Sequence, residues 1–189
     1  MLDPHPRRHR NAFDPTPYER ELVAIVEAIL AAPALDDRVL DRIAKKHPRD
    51  GAGLFSRSEI IAGFRRFAPE RGWSVDEARF VERLRLRPVR TQSGVTPVTV
   101  LTKPYPCPGT CIFCPSDVRM PKSYLASEPG SQRAEDNEFD PYLQTWNRLA
   151  AYHGIGHPVD KIELNILGGT WSSHPEAYQV WFVKRCFEA

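Results

Sequence analysis

The segment Val95-Thr-Pro-Val-Thr-Val-Leu-Thr-Lys-Pro-Tyr-Pro-Cys-Pro-Gly-Thr-Cys-Ile-Phe-Cys114 decides the fold. Its first seven residues are mostly β-branched or apolar, and Pro97 near their start fits a strand entered at an irregular end. Prolines, a glycine and three cysteines follow, which makes a loop just past the C-terminal end of that strand, where α/β proteins place their sites. Downstream, Asp140-Pro141 is a cap and first-turn pair opening a helix through about Tyr152, and Gly154, Gly156 and Pro158 close it. Lys161 to Leu167 is the next strand. Gly168-Gly169 then turns the chain toward a helix from about Pro175, with Tyr178, Trp181, Phe182 and Cys186 on one side. Strand, loop, helix, strand, loop, helix is the opening of a parallel α/β sheet or barrel.

Upstream, to about residue 87, the apolar period is helical. Leu22, Ile25, Val26 and Ile29 share one face of a segment from Tyr18 to Ala32, and Pro33 stops it. A second segment, Asp36 to His47, buries Val39, Leu40 and Ile43. Pro48-Arg-Asp-Gly-Ala-Gly53 interrupts the pattern, and two capping-box signatures follow, Ser56 with Glu59 and Ser74 with Glu77. Phe64, Phe67 and Phe80 fall on the apolar stripes of these last helices and read as core. The chain therefore divides into a helical domain over 1–87 and an α/β segment over 88–189.

The 189 residues are 41% hydrophobic and 26% charged, which fits a folded globular chain and not a disordered tail. No apolar run has the length needed to cross a bilayer, and the first residues lack the apolar core of a signal peptide, so cytoplasmic residence without membrane contact is expected. The net charge is +2, unevenly placed. Residues 1–90 carry 18 Lys and Arg against 14 Asp and Glu, whereas residues 91–189 carry 8 against 10. A basic front half is compatible with a polyanionic partner and equally with a solvated surface. In the run Arg83-Leu-Arg-Leu-Arg87-Pro-Val-Arg90, guanidinium groups alternate with apolar residues; Arg83, Arg85, Arg87 and Arg90 can line an extended segment toward phosphates, or simply end a helix favourably.

Cys107, Cys111 and Cys114 lie within eight residues of a chain without an export signal, a pattern that favours metal or redox chemistry over disulfides. Thiolates are soft donors suited to iron–sulfur clusters or zinc, and Pro108 and Gly109 let the backbone wrap tightly. A closed zinc site needs four ligands, and the remaining thiol, Cys186, lies on a later apolar helix face where it reads as a small buried hydrophobe. Three local thiolates would leave one iron of a four-iron cluster open to another ligand. A redox pair Cys111-x-x-Cys114 and a zinc loop completed from elsewhere remain as alternatives.

The spacing resembles the radical S-adenosylmethionine (SAM) signature. Arg87-Pro-Val-Arg-Thr-Gln-Ser-Gly-Val-Thr-Pro-Val98, Lys103-Pro104, Asp140-Pro-Tyr-Leu-Gln144, Gly156-His-Pro-Val-Asp-Lys161 and Gly168-Gly-Thr170 then occur in the order found in the Elongator catalytic-subunit family. The chain resembles that family from about residue 87 onward, and less distinctly before it. The resemblance implies that the N-terminal helical domain over 1–87 binds tRNA, and that 88–189 holds the first strand–helix units of a radical SAM partial β/α barrel. It implies a [4Fe-4S] cluster on Cys107, Cys111 and Cys114, SAM bound beside Gly168, Gly169 and Thr170, and acetyl-CoA met by Lys161. No catalytic side chain is singled out.

The reaction implied is 5-carboxymethylation of the wobble uridine of tRNA, in which a radical from SAM takes hydrogen from the acetyl methyl group and the resulting carbon adds to C5. The implied partners are tRNA and acetyl-CoA, with a homodimer or Elongator-like subunits in the full-length protein. The chain is expected to be a fragment, inactive alone, because it stops within the helix after its second strand. Two functions of other kinds stay open on the residues themselves: a zinc-stapled, non-catalytic nucleic-acid-binding module, and a radical SAM enzyme with a small-molecule substrate.

Overall fold

In a computed structural model, residues 13–85, 93–115 and 117–189 are described. The chain forms two compact units. Within the described residues, the first takes 13–85 together with 151–158, and the second takes 93–150 and 159–189.

The first unit is helical. A 3-10 turn, Thr16–Tyr18, leads into α1, Glu19–Ala31, whose Leu22, Ile25, Val26 and Ile29 are fully buried. In α2, Asp37–Lys46, Asp36 caps the start by accepting from the Val39 amide at 2.7 Å. Its buried residues are Leu40 and Ala44, with Val39 and Ile43 only half-buried. The interruption at 48–53 is a tight turn closed by a bridge between Arg49 and Gly53. α3, Arg57–Arg71, has the expected capping box on Ser56 and Glu59 and ends on Gly72 at φ 62°. Phe64, Phe67 and Phe80 are core, as their stripe predicts, and Phe64 stacks on Phe80 with ring centroids 4.1 Å apart.

α4, Glu77–Leu84, departs from expectation. Its N-cap is Asp76, with no side-chain cap bond, so Ser74 does not form a box with Glu77. Glu77 is the first helical residue and too early to reach back to Ser74; its carboxylate instead accepts from Arg65 Nε of α3 at 2.7 Å. The stretch 151–158 completes this unit. His153 and Gly156 offer carbonyls to Arg65 and Arg85, and Gly156, at φ 71°, lies so close to Val81 that a Cβ there would overlap its side chain.

The second unit is α/β. β1, Thr96–Leu101, and β2, Ile162–Leu167, pair in parallel, in register from Thr96 with Ile162 to Leu101 with Leu167. The crossover carries α5, Pro129–Asp136, and α6, Pro141–Gly154, and β2 leads through a 3-10 turn, Trp171–Ser173, to α7, Glu176–Phe187. Asp140 caps α6 by accepting from the Leu143 amide at 2.9 Å. Gln144 of α6 holds the end of β1, accepting from the Leu101 amide at 2.8 Å and donating to its carbonyl at 2.9 Å. The core here comprises Val98, Val100, Leu101, Met120, Ala134, Tyr142 and Phe182. Cys186 is buried, and burial pushes its thiol pKa up, so it packs as the expected hydrophobe. Trp181, by contrast, is 42% exposed. Among the described residues no helix is long and apolar enough to cross a membrane.

Candidate metal centre

Parallel pairing brings the C-terminal ends of β1 and β2 side by side, and the Thr102 amide extends the ladder by donating to the Leu167 carbonyl at 2.8 Å. Two loops leave from there. The loop after β1 carries Tyr105 and the cysteines; the loop after β2 carries Gly168, Gly169 and Thr170. They meet at Cys107, whose Sγ lies 3.2 Å from Thr170 Oγ1 and accepts from the Gly109 amide at 3.4 Å. The Tyr105 and His174 rings pack at 4.6 Å, and Ser173, whose Oγ donates to the Thr170 carbonyl at 2.6 Å, stands 3.4 Å from the Pro106 carbonyl.

Close approach requires glycine at 168 and leaves little room at 169. A Cβ on Gly168 would fall onto the Thr102 hydroxyl, and one on Gly169 would stand 3.2 Å from Lys122 Cβ and 3.7 Å from Cys107 Cβ. A Cβ on Gly109 would occupy the space between two thiols, 3.5 Å from Cys107 Sγ and 3.6 Å from Cys111 Sγ. Thr170, then the amide of Gly109, and more distantly the charge of Lys122 pull the Cys107 thiol below its ordinary range, toward the thiolate that binds metals. Cys111 is exposed and Cys114 half-buried, and the Cys114 amide closes a turn on the Cys111 carbonyl at 3.2 Å. Among the described residues the thiols do not converge into a metal-binding set. Three soft donors on one loop, with glycine leaving room between two of them, nevertheless fit a thiophilic metal or cluster.

Other residues singled out in the sequence lie elsewhere. Lys161 precedes β2, its carbonyl accepting from the Thr96 amide at 2.8 Å and its side chain exposed. That is the opposite end of the strand from Gly168, about 20 Å away at strand rise. Arg83 and Arg85 belong to the helical unit, where they donate to the carbonyls of Ala32 and Gly156. Arg87 and Arg90 lie outside the described residues. Lys122 and His174 are neighbours of the cysteine loop that the sequence pattern does not single out. Neither stands at a diagnostic spacing from the cysteines; the turn-forming Pro121-Lys-Ser123 and the Pro175 after His174 are the nearest signals.

No family model matches the chain. Among curated proteins, one named tRNA uridine(34) acetyltransferase from Methanocaldococcus infernus is 39% identical over 184 residues, covering 90% of this chain and 33% of its own length. A protein of the same name from Dehalococcoides mccartyi is 49% identical over 100 residues, 53% of this chain and 22% of its own. Elongator complex protein 3 of Bos taurus is 38% identical over 120 residues, 58% of this chain and 22% of its own. The chain thus spans about a third or less of the relatives it matches, and the archaeal alignment extends into the helical unit as well. With agreement to both the archaeal and the animal proteins, the chain belongs to the Elongator catalytic-subunit family.

Proposed function

We propose that this chain is the cluster-bearing part of an enzyme that modifies the wobble uridine of tRNA by radical SAM chemistry with acetyl-CoA as co-substrate. The α/β unit is then the start of a partial β/α barrel, and the helical unit is the part that meets tRNA. The observation that carries this reading is the approach of Cys107 to Gly169 and Thr170 across the ends of two parallel strands. Cys107, Cys111 and Cys114 would hold a [4Fe-4S] cluster, which when bound supplies the electron that splits SAM to a carbon radical. Thr170 holds Cys107 in place, and Gly168 and Gly169 keep the strand ends clear of side chains so that backbone groups can meet the cofactor. Lys161 is assigned to acetyl-CoA, and Arg83, Arg85, Arg87 and Arg90 to tRNA phosphates, on family resemblance and charge pattern alone.

Anaerobic reconstitution of the full-length protein with iron and sulfide tests the reading. The expected product is brown, with charge-transfer absorption in the blue, and cleaves SAM when reduced. Replacing Cys107, Cys111 or Cys114 by Ala is expected to abolish cluster assembly, whereas Cys186→Ala retains it. A colourless protein holding zinc, or a cluster that depends on Cys186 and survives loss of the other three, would overturn the assignment.

A further inference from the structure

The cysteine loop is followed by a tight turn to which the proposed function gives no role. The Tyr124 amide donates to the Pro121 carbonyl at 3.2 Å, so Pro121 to Tyr124 form a four-residue turn with Lys122 second and Ser123 third. Ser123 has φ 81°, the value that the third position of a type II turn demands and that glycine ordinarily supplies. Pro121 and Met120 are buried, which anchors the approach to the turn. A non-glycine residue held at positive φ is strained, and such strain persists where the surroundings fix a particular geometry. The geometry fixed here is that of Lys122. Its Cβ and amide nitrogen lie against Gly169, on the flank of that glycine shared with Cys107, and the residue is half-buried.

A ligand completing the coordination of a three-cysteine cluster brings its own charge. SAM binds through an amino group and a carboxylate, and that carboxylate would sit beside thiolates. The cluster's iron offsets part of that repulsion, and an ammonium beside the site offsets more of it. Lys122 is the cation that stands with Cys107 against Gly169.

We propose that Lys122 binds the carboxylate of SAM, and that the strained turn at Ser123 exists to present its ammonium beside Gly169 and the cysteine loop. The proposal rests on the reading of the loop as a cluster site, and adds to it a cofactor contact outside both the cysteine and the glycine motifs. A flexible lysine stem tolerates Arg, which keeps the charge, but not Gln, which is uncharged and one atom shorter.

The test measures equilibrium binding to the anaerobically reconstituted protein of three probes: SAM, 5′-methylthioadenosine, which lacks the amino and carboxylate groups, and coenzyme A, which is anionic through phosphates. Lys122→Gln is expected to keep its iron content and cluster absorption. It should bind SAM about tenfold more weakly, the size of one lost charge-assisted contact, with methylthioadenosine and coenzyme A unchanged. Lys122→Arg should bind SAM within about threefold of the parent. Unchanged SAM affinity in an iron-replete Gln variant overturns the proposal, as does equal weakening of SAM and methylthioadenosine. A loss confined to coenzyme A means that the lysine serves phosphates and overturns it too. Loss of iron from the Gln variant places Lys122 in service of the thiolates and likewise overturns the proposal. Failure of an iron-replete parent to bind SAM would instead bring down the reading of the whole site.

Discussion

At Gly168 one hydrogen atom separates a fold from a clash. The Thr102 hydroxyl occupies the place a Cβ would take, and that hydroxyl is itself buried without a partner among the described residues. Gly168→Ala should therefore destabilise the α/β unit by about 1–3 kcal/mol. Adding Thr102→Ala should recover part of the loss, since it removes the atom struck, and urea unfolding of the single and double variants checks this. Ser123→Gly should have the opposite sign, stabilising by about 0.5–1 kcal/mol in thermal unfolding because it relieves a positive φ. His174 is buried beside Tyr105 and Tyr178; burial, and then the charge of Lys103, push its pKa down. The unfolded imidazole then takes its proton first, so this residue's contribution is full above about pH 6.5 and is lost as the pH falls below it. His174→Phe keeps the stacking and should show a shallower loss of melting temperature between pH 7.5 and 5.5. Of these neighbours, the sequence disclosed the cysteines and glycines because their meaning lies in spacing along the chain. Lys122 and His174 acquire theirs only once two loops distant in sequence are folded together.

Among the elements, those with their own local signals were legible. The stripe of α1, the Ser56 box of α3, the β-branched run of β1 and the Asp140 cap of α6 all form as read. The two capping signatures separate in an instructive way. Ser56→Ala should cost about 1 kcal/mol in chemical unfolding, and Ser74→Ala close to nothing, because only the first side chain meets its helix. Spacing cannot tell them apart; the Arg65–Glu77 pair between α3 and α4 does. α5 was not foreseen. Pro129-Gly-Ser-Gln-Arg-Ala-Glu-Asp136 has no apolar period, buries only Ser131 and Ala134, and owes its place to packing on β1, where Gly130 comes close to Leu101. Tertiary packing overrides weak propensity in such a segment.

Across the whole molecule, the sequence suggests one boundary near residue 87, but the helical unit reclaims 151–158 from beyond the first strand and the crossover helices. Gly156→Ala should accordingly destabilise the helices, by about 1–3 kcal/mol, through Val81 and the positive φ, although it lies far from them in sequence. Hydrogen exchange of α4 amides would register it. This arrangement also orders events in time. During synthesis, α1 to α4 leave the ribosome complete, but the segment that covers Val81 and receives the Arg85 guanidinium follows about 70 residues later, on the order of 4–14 s at about 5–20 residues per second. For that interval the nascent helices carry an open flank at Val81 and an Arg85 guanidinium still without its Gly156 acceptor.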